Sequence, residues 1–130
     1  RTRALVLISP NNPTGAIYPP EEIRAAYELC KRRKIAFILD ETYRDFMPGW
    51  PQPHDLFADK DWPETLIHLY SFSKSFSLPG YRVGAIVADP KLVAEIAFSP
   101  AFSRRHTCIL NHLENSVNSE IMRLKRFIGA

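Results

Sequence analysis

The chain has 130 residues, of which 45% are hydrophobic and 24% charged, with a formal net charge of +3. That is enough apolar content for one ordinary globular core and too little positive charge to indicate a nucleic-acid partner. No stretch is long and apolar enough to cross a bilayer as a helix, Arg1-Thr2-Arg3 lacks the layout of a secretory signal, and two cysteines do not make a disulfide framework, so cytoplasmic residence without a membrane is the expectation.

Ala4-Leu5-Val6-Leu7-Ile8-Ser9 is a short apolar run that stops at Pro10-Asn11-Asn12-Pro13-Thr14-Gly15. It reads as a buried strand entering a turn-rich loop, with Asn12 just past the strand's C-terminal end. Pro20-Glu21-Glu22 opens a run through Lys34 in which Ile23, Ala26, Tyr27 and Cys30 recur at helical spacing, with acids at its start and Lys31-Arg32-Arg33-Lys34 at its end. The basic cluster is therefore a helix C-terminus. Ala36-Phe37-Ile38-Leu39 is a second strand that ends on Asp40, followed by Glu41-Thr42-Tyr43. Strand, helix and strand in this order spell a crossover, which is right-handed almost without exception.

Residues 44–65 hold Pro48, Pro51, Pro53 and Pro63 and read as an irregular surface segment. Leu66-Ile67-His68-Leu69-Tyr70 is a third strand, ending at Ser71 just before Lys74. Val83 to Ala88 is a fourth, after which Asp89-Pro90 caps a helix containing Leu92, Val93 and Ile96. The pattern is that of an α/β layer.

Three strands thus deliver Asn12, Asp40 and Lys74 at the same kind of place, and in open α/β sheets ligands bind outside the carboxyl ends of the strands. A lysine after a buried strand and among the hydroxyls of Ser71, Ser73, Ser75 and Ser77 is placed to react with a carbonyl cofactor, although a polar loop residue is the plain alternative. Asp40 offers a carboxylate to a cationic partner or a cap to a turn. Asn12 before Pro13 suits a turn as well as a ligand, and Tyr43 suits a core position with a satisfied hydroxyl. Arg82, between Gly80 and Gly84, supplies a fork of donors matched to a phosphate dianion, or sits at the surface.

Four segments carry a family resemblance in their order and spacing: Asn-Pro-Thr-Gly at Asn12 to Gly15, Asp-x-x-Tyr at Asp40 to Tyr43, Ser-x-Ser-Lys at Ser71 to Lys74, and the arginine of Pro-Gly-Tyr-Arg-Val-Gly at Arg82. From about Ala4 to about Ile96 the chain resembles a fold-type I, class I/II pyridoxal-phosphate-dependent aminotransferase. The resemblance implies part of a three-layer α/β sandwich with a mostly parallel sheet, and pyridoxal 5′-phosphate as cofactor. It implies that Lys74 holds the cofactor as a Schiff base and moves a proton between Cα and C4′. Asp40 would pair with the pyridine nitrogen, Asn12 and Tyr43 would donate to the phenolic oxygen, and Ser71, Ser73 and Arg82 would hold the phosphate. Amino acid and 2-oxo acid substrates and a homodimer follow from the same resemblance. Lyases, racemases and decarboxylases of the same fold share the lysine and the aspartate, and a catalytically silent fragment or interaction module is the other alternative.

Members of the family are longer, so truncation at both ends is expected, with an unpaired sheet edge and an uncovered apolar face. The resemblance divides the chain into a partial cofactor-binding domain over 1–98 and a divergent tail over 99–130. In the tail Leu110, Leu113, Val117, Ile121, Leu124 and Ile128 keep three-and-four spacing. That spacing reads as an amphipathic helix or as the product of a shifted reading frame, the second being preferred. His106, Cys108 and His112 lack a fourth ligand, and no metal is expected.

Overall fold

The computed structural model describes residues 1–48 and 52–99. Four strands, β1 (Ala4–Ile8), β2 (Ala36–Asp40), β3 (Leu66–Ser71) and β4 (Gly84–Val87), form one sheet in the order β1-β2-β3-β4. The first three are parallel and β4 runs antiparallel to β3. Three helices accompany them: α1 (Pro20–Arg33), α2 (Phe72–Ser75) and α3 (Pro90–Phe98). The α/β architecture with a mostly parallel sheet is the one expected. The tail, with His106, Cys108 and His112, lies outside the described residues.

Local chemistry sets the boundaries of α1 and α3. Helix α1 starts at Pro20, whose fixed φ suits the first turn, and carries Glu21 and Glu22 at the positive end of its dipole and Lys31, Arg32 and Arg33 at the negative end. It stops where Lys34 takes a left-handed φ of 51° and the Ile35 N–H reaches back to the Cys30 carbonyl at 3.1 Å. Asp89 caps α3 as the sequence predicts, with its carboxylate accepting from the N–H groups of Lys91 at 2.8 Å and Leu92 at 3.3 Å.

Alternation along the strands gives the sheet two unlike faces. On one face Phe37 and Leu39 of β2, Leu66 of β3 and Val87 of β4 pack with Ile23, Tyr27 and Cys30 of α1. On the other, Val6 is 57% exposed and Ile38, Ile67, Leu69 and Ile86 are half-buried. The parallel register aligns Ile8, Asp40 and Leu69 in a row across this second face, with Ser71 two residues beyond Leu69 on the same face. Asp40 and Ser71 therefore stand on the less covered side.

One expectation is corrected. The segment between β2 and β3 is irregular, but it is not a surface segment: Leu56 is fully buried and Trp62 is 8% exposed, both in the core under α1. Three short 3-10 turns, Arg44–Phe46, Leu56–Ala58 and Trp62–Glu64, satisfy its backbone while its apolar side chains close that end of the core. Gly84 has its own reason to be glycine: a Cβ there would lie 3.0 Å from the Tyr70 carbonyl on the neighbouring strand. Among the described residues no helix is long and apolar enough to cross a membrane.

Candidate active site at the C-terminal ends of the strands

The loop after β1 divides its two asparagines between two jobs. Asn11 builds the turn: its Oδ1 accepts from the Thr14 hydroxyl at 2.8 Å and its carbonyl accepts from the Gly15 N–H at 2.7 Å, with Gly15 at a φ of +73° that glycine alone adopts without strain. Asn12 faces out of the turn, and its Nδ2 donates to the Tyr43 hydroxyl at 3.2 Å. The Ser9-Pro10 and Asn12-Pro13 peptides are cis. The two loops so joined border a recess of about 360 Å3 lined by Pro10, Asn12, Pro13, Ile17, Tyr43 and Phe46.

Asp40 ends β2 and serves its own turn with one oxygen. Its Oδ1 accepts from the Thr42 N–H at 2.9 Å and the Thr42 hydroxyl at 2.7 Å. The capping role weighed from the sequence is thus present. It occupies one carboxylate oxygen and leaves Oδ2 for another partner, so capping and ligand binding do not compete for the same atom.

Beyond β3, Ser71 accepts from the Ser73 N–H at 3.2 Å and so caps α2, which the sequence reading did not anticipate. That single turn carries Lys74 outward, exposed to solvent, while Phe72 anchors it in a small cluster with Tyr70 and Ala85. Tyr70, one residue before Ser71, donates its hydroxyl to Asp45 and so ties the turn after β2 to the strand that leads to Lys74. Burial, and then the bond to Asp45, push the Tyr70 phenol well above its usual range, so it stays a donor. Arg82 sits at a left-handed φ of 54° and donates from Nη1 to the Pro79 carbonyl at 3.2 Å, within its own loop.

The structure thus joins Asn12 to Tyr43 directly and places Asp40 and Ser71 on one face at one end of the sheet, with Lys74 a turn beyond. It shows Arg82 bonded to Pro79. The donor set suits pyridoxal phosphate: an amide and a phenol meeting at one point for an oxyanion, a carboxylate oxygen for a ring nitrogen, and an amine with neighbouring hydroxyls. Sequence reasoning missed Glu41, Arg44, His54 and His68, which form a buried polar cluster behind the Asp40–Tyr43 turn. Alternation held a signal for two of them, since Glu41 continues the inward series Phe37, Leu39, and His68 falls between inward Leu66 and Tyr70.

The profile of the family described as aminotransferase class I and II matches residues 1–118. The chain belongs to this family. It is 35% identical over 97 residues to an aspartate aminotransferase of Sulfurisphaera tokodaii, covering 75% of this chain and 24% of that protein. It is 41% identical over 102 residues to a probable aspartate/prephenate aminotransferase of Aquifex aeolicus, covering 76% and 25%. Among solved structures, an aspartate aminotransferase from Thermus thermophilus with maleate superimposes with a TM-score of 0.54 at 34% identity, over 65% of this chain and 21% of that one. The chain thus spans about a quarter of the length of the curated relatives it matches. Its sheet is that of the large domain of fold-type I aminotransferases. Pyridoxal phosphate is the general cofactor of the family, and amino and 2-oxo acids are its general substrates.

Proposed function

We propose that this chain is the cofactor-binding core of a pyridoxal-phosphate-dependent aminotransferase that moves an amino group from an amino acid to a 2-oxo acid. The observation that carries the reading is the meeting of Asn12 and Tyr43 at 3.2 Å beside the strand end that presents Asp40. Bound there, pyridoxal phosphate supplies an electron sink for negative charge developing at the substrate Cα.

The chain's residues do the rest. Lys74 would hold the cofactor through Nζ and, with the substrate amine in place, would move a proton at the substrate Cα. Asp40 holds a proton on the ring nitrogen through Oδ2 while Oδ1 keeps the turn. Asn12 Nδ2 and the Tyr43 hydroxyl orient and stabilise the phenolic oxygen as an anion. Ser71 and Ser73 donate to phosphate, and Arg82 joins them by releasing the Pro79 carbonyl. The reading includes a homodimer in the cytoplasm and no nucleic-acid partner, following the habit of the family.

The reaction class is tested with the full-length protein, pyridoxal phosphate and a panel of amino acids, including aspartate and aromatic ones, in D2O with a 2-oxo acid acceptor. The reading expects deuterium at Cα together with amino transfer to the acceptor. Deuterium exchange without transfer would instead assign a lyase, racemase or decarboxylase built on the same lysine and aspartate.

A further inference from the structure

We propose that Glu41 is the positioning residue of this site: a buried carboxylate that locks the Asp40–Tyr43 turn against β3 and thereby sets the direction of the Asp40 carboxylate and the Tyr43 hydroxyl. The inference rests on the pyridoxal-phosphate reading above.

Glu41 stands between the two groups it would position and is fully buried. Its main chain is fixed on both sides, since its N–H donates to the Leu69 carbonyl of β3 at 2.9 Å and its carbonyl accepts from the Arg44 N–H at 3.1 Å. Its side chain points to the face opposite Asp40 and meets three cluster partners. Oε2 lies 2.8 Å from His68 Nε2 and 3.1 Å from Arg44 Nη1, and Oε1 faces His54 Nε2 at 3.5 Å. His68 is fully buried, and His54 and Arg44 are 5% and 6% exposed. One carboxylate thus gathers the end of β2, the middle of β3, the 3-10 turn after Tyr43 and the loop at His54.

Glu41, His54 and His68 also bring three ligand-type atoms within 4.8 Å of one another, which raises a metal reading. The hydrogen bonds argue against it. His54 Nδ1 accepts the Leu56 N–H at 3.2 Å, so the lone pair is on Nδ1 and the ring proton is on Nε2, the atom that faces Glu41. A metal at that point would need the opposite tautomer, and it would also meet the Arg44 cation on the same carboxylate. The arrangement is that of donors around an anion. Burial alone would push the Glu41 carboxyl up, but the histidine contacts outweigh burial and hold it below the usual carboxylate range. Burial lowers His68, which favours the neutral ring and leaves Arg44 as the balancing charge.

A carboxylate that served only the stability of the core would leave the cofactor untouched in any variant that folds. Glu41→Gln and Glu41→Asp in the full-length protein separate the two roles, with Leu66→Ala as a core variant at the start of β3, where it pairs with Phe37 at the end of the sheet away from the turn. Folding is checked by near-ultraviolet circular dichroism, and two quantities are read: the dissociation constant for pyridoxal phosphate and the pH midpoint of the bound cofactor's visible absorbance. In Glu41→Gln the amide faces donors with a donor, the turn relaxes, and affinity should fall roughly tenfold, as for loss of one charge-assisted bond to the cofactor, with a displaced pH midpoint. Glu41→Asp, which keeps the charge and shortens the reach, should fold and show the same displacement in smaller degree. Leu66→Ala should lower the melting temperature and leave both quantities unchanged below it. Folded Glu41 variants with wild-type affinity and pH midpoint would overturn the inference, whereas a wild-type protein that binds no pyridoxal phosphate would overturn the functional reading beneath it.

Discussion

The Asn12 side-chain amide donates to the Tyr43 hydroxyl across 3.2 Å and so joins the loop after β1 to the turn after β2, two segments 31 residues apart. The parallel pairing of Ile8 with Asp40 brings the two loops to the same end of the sheet. Two groups suited to one anionic oxygen thereby stand in contact, and a site whose donors are already placed reorganises little on binding.

Tyr43→Phe removes one of these donors and the acceptor for Asn12 while keeping the ring beside Phe46. Pyridoxal-phosphate affinity should weaken by about 1.5–3 kcal/mol, the worth of a hydrogen bond to a charged group. Equilibrium titration in the full-length protein checks this, and the effect should not add to that of Asn12→Ala, because the two side chains are in contact.

Asp40→Asn separates capping from chemistry. Asparagine keeps an oxygen for the Thr42 N–H and hydroxyl, so the melting temperature should change little, while the loss of the carboxylate toward the ring nitrogen should slow deuterium exchange at Cα by about two orders of magnitude or more. Exchange at the wild-type rate would confine Asp40 to its turn.

Leu56→Ala tests the buried role of the segment between β2 and β3. Truncating a fully buried leucine that packs with Tyr27 and Phe37 should cost about 2–5 kcal/mol in chemical denaturation. A cost under about 0.5 kcal/mol would return that segment to the surface.

Acid stability should report on Asp59, whose carboxylate accepts from Lys31 Nζ at 2.6 Å and the Tyr27 hydroxyl at 2.7 Å. The Lys31 bond first, then the Asp61 N–H and the Tyr27 hydroxyl, hold its pKa down to about 2 from an ordinary 3.8. A depressed folded pKa gives stability that is fully present above the unfolded value and lost as pH falls through the folded one. Asp59→Asn should therefore flatten the loss of stability between about pH 4 and pH 2, measured by denaturant melts across that range, and leave the slope above pH 5 unchanged.

Much of the frame was legible because its signals are local. The apolar runs at Ala4, Ala36 and Leu66, the Pro20 start of α1 and the Asp89 cap of α3 each depend on neighbours within a few residues. The burial of Leu56 and Trp62 was not legible, since a proline-rich stretch of 3-10 turns has no period to read. Glu41 and His68 are 27 residues apart and meet only through the register of β2 on β3, which composition and spacing do not specify. The choice of Asn12 over Asn11 rests on the resemblance alone; the turn adds that Thr14 and Gly15 engage Asn11 while Asn12 bonds Tyr43.

The central claim, that these strand ends form a pyridoxal-phosphate site centred on Lys74, is tested most directly by trapping. The purified chain is titrated with pyridoxal phosphate, reduced with borohydride and mapped by peptide mass spectrometry, with Lys74→Ala as the control for random labelling. The account predicts a stoichiometric adduct confined to Lys74 and lost in the variant. Equal labelling spread over other lysines, or an adduct that survives Lys74→Ala, would contradict it.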